Sequence, residues 1–428
     1  MSIASATTQE SQLPWFEDYP ENWEVKPARA YLSQTKIKND GLQEKNLLSL
    51  SYGKIIKKDI EGYFGLLPAS FETYQIVAPG QIVLRLTDLQ NDKKSLRSAL
   101  VRERGIITSA YVAVKVERCY KPEYLNYLLR AYDKQKVFYF LGGGVRQTAD
   151  FSDFKKLPVL CPPRDVQEKI VEYLDNKLAA IIEVIEKKKK LIELLRQQRV
   201  AVITEAVKQS EYRKDIDIDL GNVSSTPKSW NRKRLRFLTD INPKRSKVSN
   251  LENIKVTFLP MPLVSETGAL DLSEEKDLNA VYSGYTYFAN GDVIVAKITP
   301  CFENYKGAAV RGLLNGVGFG STEFHVLRPL GELNSRFLYY VTMNHFFRSL
   351  GELEMHGSAG QQRVPTLFIQ DFICSYPDRG EQDEIVKHLD QETSRIDDLI
   401  EKTTEEIEKL LEFKASTIYS AVTGRIKL

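Results

Sequence analysis

Residues 167–207 and 382–422 are copies of one another at a constant offset of 215, with 15 identities over 41 gapless positions. They include Gln167/Gln382, Ile170/Ile385, Val171/Val386, Leu174/Leu389, Asp175/Asp390 and Val207/Val422. A duplication of this extent fixes the layout of the whole chain, because whatever one copy forms must form twice. In the first copy, positions 174, 178, 181, 185, 188, 192, 195, 199, 202 and 206 alternate steps of four and three, and most hold Leu, Ile, Val or Ala. A sustained period of about 3.5 marks a coiled-coil seam. Its apolar positions are Leu174, Leu178, Ile181, Ile185, Ile192 and Leu195 in the first copy. In the second they are Leu389, Ile396, Ile400, Ile407 and Leu410. Lys188/Thr403 and Arg199/Lys414 are polar in both copies and would fix register. Each copy predicts a helix of roughly 60 Å. A helix with one apolar stripe needs a partner, and the other copy is the nearest candidate, in an antiparallel pair.

The repeat continues upstream in weaker form. Gly143-Gly144-Val145-Arg146-Gln147 precedes the first helix and Gly360-Gln361-Gln362-Arg363 the second. Each is followed by a short apolar segment ending in Pro, at Pro162-Pro163 and Pro377. Pro20-Glu21-Asn22-Trp23 matches Pro227-Lys228-Ser229-Trp230, and both tryptophans are expected to pack at the start of a domain. Between these anchors the halves differ. The expected organisation is an N-terminal tail (1–13), a variable domain (14–163), a long helix (164–208), a polar linker (209–226), a second variable domain (227–377) and a second long helix (378–428). Gln75–Arg85 and Ala289–Lys297 each read as strand, turn, strand, and Ile106–Val116 and Val317–Leu327 as further β-rich runs. Pro122–Tyr132 and Ser335–Phe347 read as helices. The fold class is therefore α+β.

The four cysteines, Cys119, Cys161, Cys301 and Cys374, are scattered, and the four histidines are widely spaced. A disulfide framework or metal site is not expected, and a reducing cytoplasm fits. No apolar run approaches membrane-spanning length, so no membrane role is expected. Net charge is only +3. The distribution is more informative: residues 14–160 carry 23 Lys and Arg against 17 Asp and Glu, 227–377 carry 17 against 14, and 378–428 carry 8 against 13. Basic variable domains suit phosphate contact, and an acidic helix suits protein contact.

The motif Pro377…Glu381-Gln382…Ile385-Val386…Leu389-Asp390, with Pro163…Val166-Gln167…Ile170-Val171…Leu174-Asp175 as its first copy, resembles the specificity subunit of type I restriction–modification systems. Val166 departs from the usual Glu. Ala421-Val422-Thr423-Gly424-Arg425-Ile426 is similar to the family's C-terminal end, and the resemblance runs from Trp23 to Ile426. It implies that each variable domain reads half of a split site in double-stranded DNA. It also implies that the paired helices act as a ruler and dock two modification (methyltransferase) subunits, which two restriction (motor-nuclease) subunits can join. Adenine flipping and methylation would then belong to the partner. This chain has no phosphate-binding Gly-Lys-Ser/Thr loop, and Asn242-Pro243 is followed by Lys244 where a methyltransferase motif needs Pro and an aromatic residue. No cofactor and no catalytic residue are assigned.

Two residue sets are candidates for DNA contact. The first is the glycine loops: Gly143, Gly144, Arg146 and Gln147, then Ser358, Gly360, Gln361, Gln362 and Arg363. Glycine admits close backbone approach to phosphate, and Arg and Gln match guanine and adenine edges. The alternative is a polar connector. The second set follows a β-run: Lys297, Thr299, Asn304, Tyr305 and Lys306, with first-half counterparts Arg85, Thr87, Gln90, Asn91, Lys93 and Lys94. The alternative there is a solvated loop. Thr108-Ser109 and Ser321-Thr322 fit either base contact or buried strand hydroxyls. Lys187–Lys190 reads as a basic patch or a solvated helix face. Three functions compete: this DNA-reading module, including a methylation-only version; a recognition-fused nuclease or methyltransferase; and a coiled-coil adaptor without DNA binding.

Overall fold

The computed structural model describes residues 8–10, 13, 15–16, 18–58, 70–89, 96–141, 148–208, 226–245, 254–358 and 360–428. The chain is mixed helix and sheet and divides into two compact units, Met1–Lys187 with Glu406–Leu428, and Lys188–Glu405.

In the first unit, Leu32–Thr35, Val112–Val116, Ile82–Leu84 and Ser98–Leu100 form one antiparallel sheet in that spatial order. Ile37–Lys38, Gln75–Val77 and Gly105–Ile107 form a second. Glu24–Pro27, directly after Trp23, pairs with Pro158–Cys161, directly before the long helix. In the second unit, Thr239–Ile241, Phe324–Pro329, Val293–Ala296 and Gly307–Ala309 form one sheet. Glu275–Asp277, Lys255–Leu259, Val317–Gly320 and Thr286–Ala289 form another, with its central pair parallel. Asn231–Arg234, directly after Trp230, pairs with Ile373–Tyr376. Both tryptophans are buried.

The expected strand, turn, strand segments form in both units, but neither is a hairpin. Gln75–Val77 and Ile82–Leu84 lie in different sheets, as do Thr286–Ala289 and Val293–Ala296. The turns that carry the chain between sheets share their bonding. Gly80 N donates to Val101 O and Gly291 N to Val310 O, while Gln81 and Asp292 side chains accept from Ala78 N and Ala289 N. Gly80 and Gly291 have φ of 86° and 91°, a left-handed conformation that disfavours side chains. The expected helix at 335–347 is broken. Ser335–Met343 ends at Asn344, whose side chain accepts from Phe346 N and starts a new helix, His345–Leu353. Asparagine competes with the helix for its own backbone and so restarts it.

The long helices run Arg164–Val207 and Arg379–Val422, 44 residues each. Every position of the alternating stripe is buried or half-buried in both. In the first unit, Ile170, Leu174, Leu178, Ile181 and Ile185 share one apolar core with Ile418, Ala421 and Val422. In the second, Ile203, Val207 and Leu389 share another. Burial of each Leu, Ile or Val among them stabilises the fold by about 1.5–3 kcal/mol. The lysines at 187–190 are exposed except Lys188, and Lys187 and Lys190 pair with Glu183 and Glu193 on the same helix face.

Candidate nucleic-acid interface

The repeated Gln and Asp of the helix starts clamp a neighbouring helix. Gln167 Oε1 accepts from Lys121 N at 2.7 Å, and its amide donates to the carbonyls of Cys119 and Pro162. Gln382 Oε1 accepts from Asn334 N at 2.8 Å, and its amide donates to Glu332 and Pro377. Both glutamines are fully buried. About two turns on, Tyr127 donates to Asp175 and Tyr340 to Asp390, each at 2.5 Å. These bonds fix Pro122–Lys134 and Ser335–Met343 against the long helices and so position the sheets that carry the candidate loops. The Val166/Glu381 difference also has a physical account. Glu381 accepts the Trp230 indole N–H at 3.1 Å, whereas Val166 packs against the first unit's core.

In the second unit the structure brings part of both candidate sets to one place. Beyond Val293–Ala296, Lys297–Thr299 runs beside the end of the glycine loop. Thr299 N donates to Gln362 O at 2.9 Å, Val364 N donates to Lys297 O at 2.8 Å, and Ile298 bridges Arg363. Lys297 N donates to Glu323 O, adding the Ser321–Glu323 turn. His325 Nε2 donates to Val364 O at 2.9 Å beneath this surface. Gly357, at φ 140°, makes the return possible, since a Cβ there would lie 2.7 Å from Gln361 O. Gly360 adopts φ 82°, and Gln361 N donates to Ser358 O at 3.0 Å.

Arg363 does not point free into solvent. Its Nε and Nη2 hold both carboxylate oxygens of Glu323 at 2.8–3.1 Å. That pair raises the Arg363 pKa and holds the Glu323 carboxyl below its usual range. Beside it, Lys297, Thr322, Arg245, Asn242 and Tyr285 line an open pocket of about 260 Å³. Arg245 stacks over the Tyr282 ring at 5.1 Å. Asn242 has a structural role, exchanging two hydrogen bonds with Val326.

The rest of the second set separates from this surface. The loop turns at a cis Thr299–Pro300 bond. The Thr299 hydroxyl contacts Met355 Sδ, and Lys306 Nζ donates to Met261 O at 3.2 Å. Asn304 and Tyr305 line a different cavity with Arg196, Thr204 and His345. Thr108 and Ser321 are half-buried, Ser109 and Thr322 exposed, and all four sit in turns after strands, so buried strand hydroxyls do not describe them.

In the first unit, Arg85 N donates to Arg97 O, and Ala149 N donates to Leu86 O, as Val364 does to Lys297. Thr87 is half-buried. Gln90, Asn91, Lys93, Lys94, Gly143, Gly144, Arg146 and Gln147 lie outside the described residues.

Two arginines that the sequence did not single out sit beneath the loops. Arg97 and Arg348 are both fully buried. Arg97 donates to the carbonyls of Thr87 and Asp88 at 2.9 and 3.2 Å. Arg348 donates to Phe302 O at 2.9 Å and Thr342 O at 2.7 Å, under the Phe302 and Tyr305 rings. Burial pushes the Arg348 pKa down to about 10. Arg348 shares a helix face with buried Asn344 and Gly351, neither of them a large apolar residue, so helical spacing gives no burial signal for it in the sequence.

Among the described residues, no group of three or more His, Cys, Asp or Glu could hold a metal ion. No helix among them is long and apolar enough to cross a membrane.

Residues 109–194 and 227–409 match the type I restriction modification DNA specificity domain. The chain is 42% identical over 177 residues to the type I restriction enzyme EcoAI specificity subunit of Escherichia coli, an alignment covering 40% of this chain and 29% of that protein. It is 35% identical over 250 residues to the EcoEI specificity subunit of the same organism, covering 57% and 40%. The matched part thus spans less than half of either relative. Among solved structures, the HsdS subunit from Thermoanaerobacter tengcongensis superimposes with a TM-score of 0.50 over 97% of this chain and 100% of that one, at 15% identity. A chain from structural work on complex assembly and conformational transition of the type I R-M system gives 0.66 over 95% and 99%, also at 15% identity. At that identity the likeness is one of fold.

Proposed function

The chain belongs to the type I restriction–modification DNA specificity family, and from that premise we propose that it is the non-catalytic, cytoplasmic DNA-reading subunit of a type I complex. Its two variable domains each read one half of a split, asymmetric site. The long helices pair as an antiparallel coiled coil under pseudo-twofold symmetry, set the half-site spacing, and dock two modification subunits, to which two restriction subunits add. The observation that carries the reading is the convergence of Lys297, Thr322 and Arg363 on one surface beside Arg245. It joins cations, short polar groups and a forked donor on neighbouring strand ends, as base and phosphate contact require. The helix pairing is supported within each unit. The start of the first helix shares a core with the end of the second, and the end of the first with the start of the second.

The test is binding to duplex DNA over a salt series. Affinity is expected to fall steeply as salt rises. Arg363→Ala is expected to weaken specific binding by about 1–3 kcal/mol. Equal loss on specific and random duplexes would demote Arg363 to a phosphate contact, and salt-insensitive or absent binding would leave only an adaptor. Matched two-turn insertions in both helices should lengthen the spacer and leave the half-sites unchanged.

A further inference from the structure

The first unit holds a cavity of about 520 Å³ between the helix Pro122–Lys134, the turn at Tyr52, Leu96 and the last part of the second long helix. Among the described residues its charged lining is entirely cationic: Lys54, Arg130, Lys134 and Lys414. None of the four is in an ion pair among the described residues. Lys54 and Lys134 are exposed at the rim, while Arg130 and Lys414 are half-buried. Burial, then the charges of Arg130, Lys54 and Lys134, hold the Lys414 pKa below its usual range. Arg130 donates to Gly53 O at 2.8 Å, yet its Nε is buried without a partner.

The internal repeat provides a comparison. Lys414 is the counterpart of Arg199, which pairs with Asp397 at 2.9 Å. At the same offset of 215, the counterpart of Asp397 is Ile182. One repeat neutralises its seam cation from within the chain; the other has no carboxylate at the corresponding position. Four clustered cations with no carboxylate among the described lining residues are electrostatically unfavourable and favour an external anion.

The apolar part of the cavity narrows the class of anion. Leu96, Leu411, Ile418 and Tyr419 line it. Tyr52 stands at the rim, 74% exposed, with a left-handed φ of 45°. The two-residue turn Tyr52-Gly53 between the paired strands Leu48–Ser51 and Lys54–Lys57 sets that φ, whereas an uncovered tyrosine ring beside an apolar wall is a surface that a planar ligand can stack on. The volume lies within the range of small-molecule sites.

We propose that this pocket binds a nucleoside polyphosphate. The phosphates would sit among Lys54, Arg130, Lys134 and Lys414, and the base against Tyr52 and the apolar wall.

The experiment titrates a fluorescent ATP analogue into the full-length chain, in whatever assembly it purifies with. Saturable binding is expected, weakened at least tenfold by Lys414→Met or Arg130→Met and unaffected by Lys187→Met. Lys414→Met should melt no lower than wild type without nucleotide, since it relieves a half-buried repelled cation, and lose the shift that ATP induces, which separates site loss from misfolding. No saturation up to millimolar nucleotide, or unchanged binding in Lys414→Met, overturns the proposal. Inorganic tripolyphosphate binding as tightly as ATP overturns the assignment of the base. Displacement of the analogue by short duplex DNA, with duplex affinity lost in Lys414→Met, overturns it in favour of a backbone contact.

Discussion

Arg199 on the first long helix donates Nε to Asp397 Oδ1 on the second at 2.9 Å, and its Nη2 to Thr267 O at 2.9 Å. The arginine is buried, so a polar residue on an apolar stripe becomes a specific lock between two helices and a domain loop. Removing one partner should leave the other desolvated.

Arg199→Met is therefore expected to destabilise the second unit by about 1–3 kcal/mol. The double variant Arg199→Met/Asp397→Leu should cost less than the sum of the single changes, because an apolar pair replaces a buried ionic one. Hydrogen exchange of residues 188–207 and 379–405 reads the effect. Additive losses would mean that the two residues do not act as a pair.

Gln382→Ala removes three hydrogen bonds of a buried side chain and leaves the Asn334 amide and two carbonyls without that partner. A loss of roughly 2–4 kcal/mol is expected, each orphaned group costing about 1–3 kcal/mol and water recovering part. The Asn334 amide should exchange faster in the variant. Unaltered exchange there would argue that the clamp is dispensable.

Burial depresses the His325 pKa to about 4 from 6.5, with Lys297 lowering it further and Val364 O and Glu323 opposing. Its Nδ1 is buried with no acceptor, so the proton taken up in acid finds no partner in the fold. A depressed folded pKa means stability is complete above about pH 6.5 and is lost as pH falls toward 4. The loss from this group is roughly 2–3 kcal/mol. His325→Asn does not titrate, so its unfolding midpoint should change less between pH 7 and pH 4.5. Parallel profiles would exclude His325 as the source.

Glu323 holds Arg363 through both carboxylate oxygens on the proposed reading surface. Glu323→Gln removes a negative charge from a phosphate-facing site and frees the guanidinium. Binding to random duplex should tighten several-fold and the ratio of specific to random affinity should fall. A weaker grip on both duplexes would indicate that Glu323 orients Arg363 for reading.

The duplication, the two long helices and the apolar stripe are legible in the residues. All are local or periodic, and helical spacing fixes which side chains share a face. The pairing of strands across 130 residues is not local. Thus Glu24–Pro27 meets Pro158–Cys161, and the apparent strand, turn, strand segments divide between sheets. The same limit applies to the site. Lys297 and Arg363 are 66 positions apart, and only the sheet ends bring them side by side. Arg97 and Arg348 read as ordinary charged residues until the loops they support are seen folded over them. The sequence determined which surfaces had to be buried, because periodicity is written residue by residue. Tertiary structure decided which polar groups meet, because a buried polar group is costly without a partner and only the assembled fold determines which partner is near.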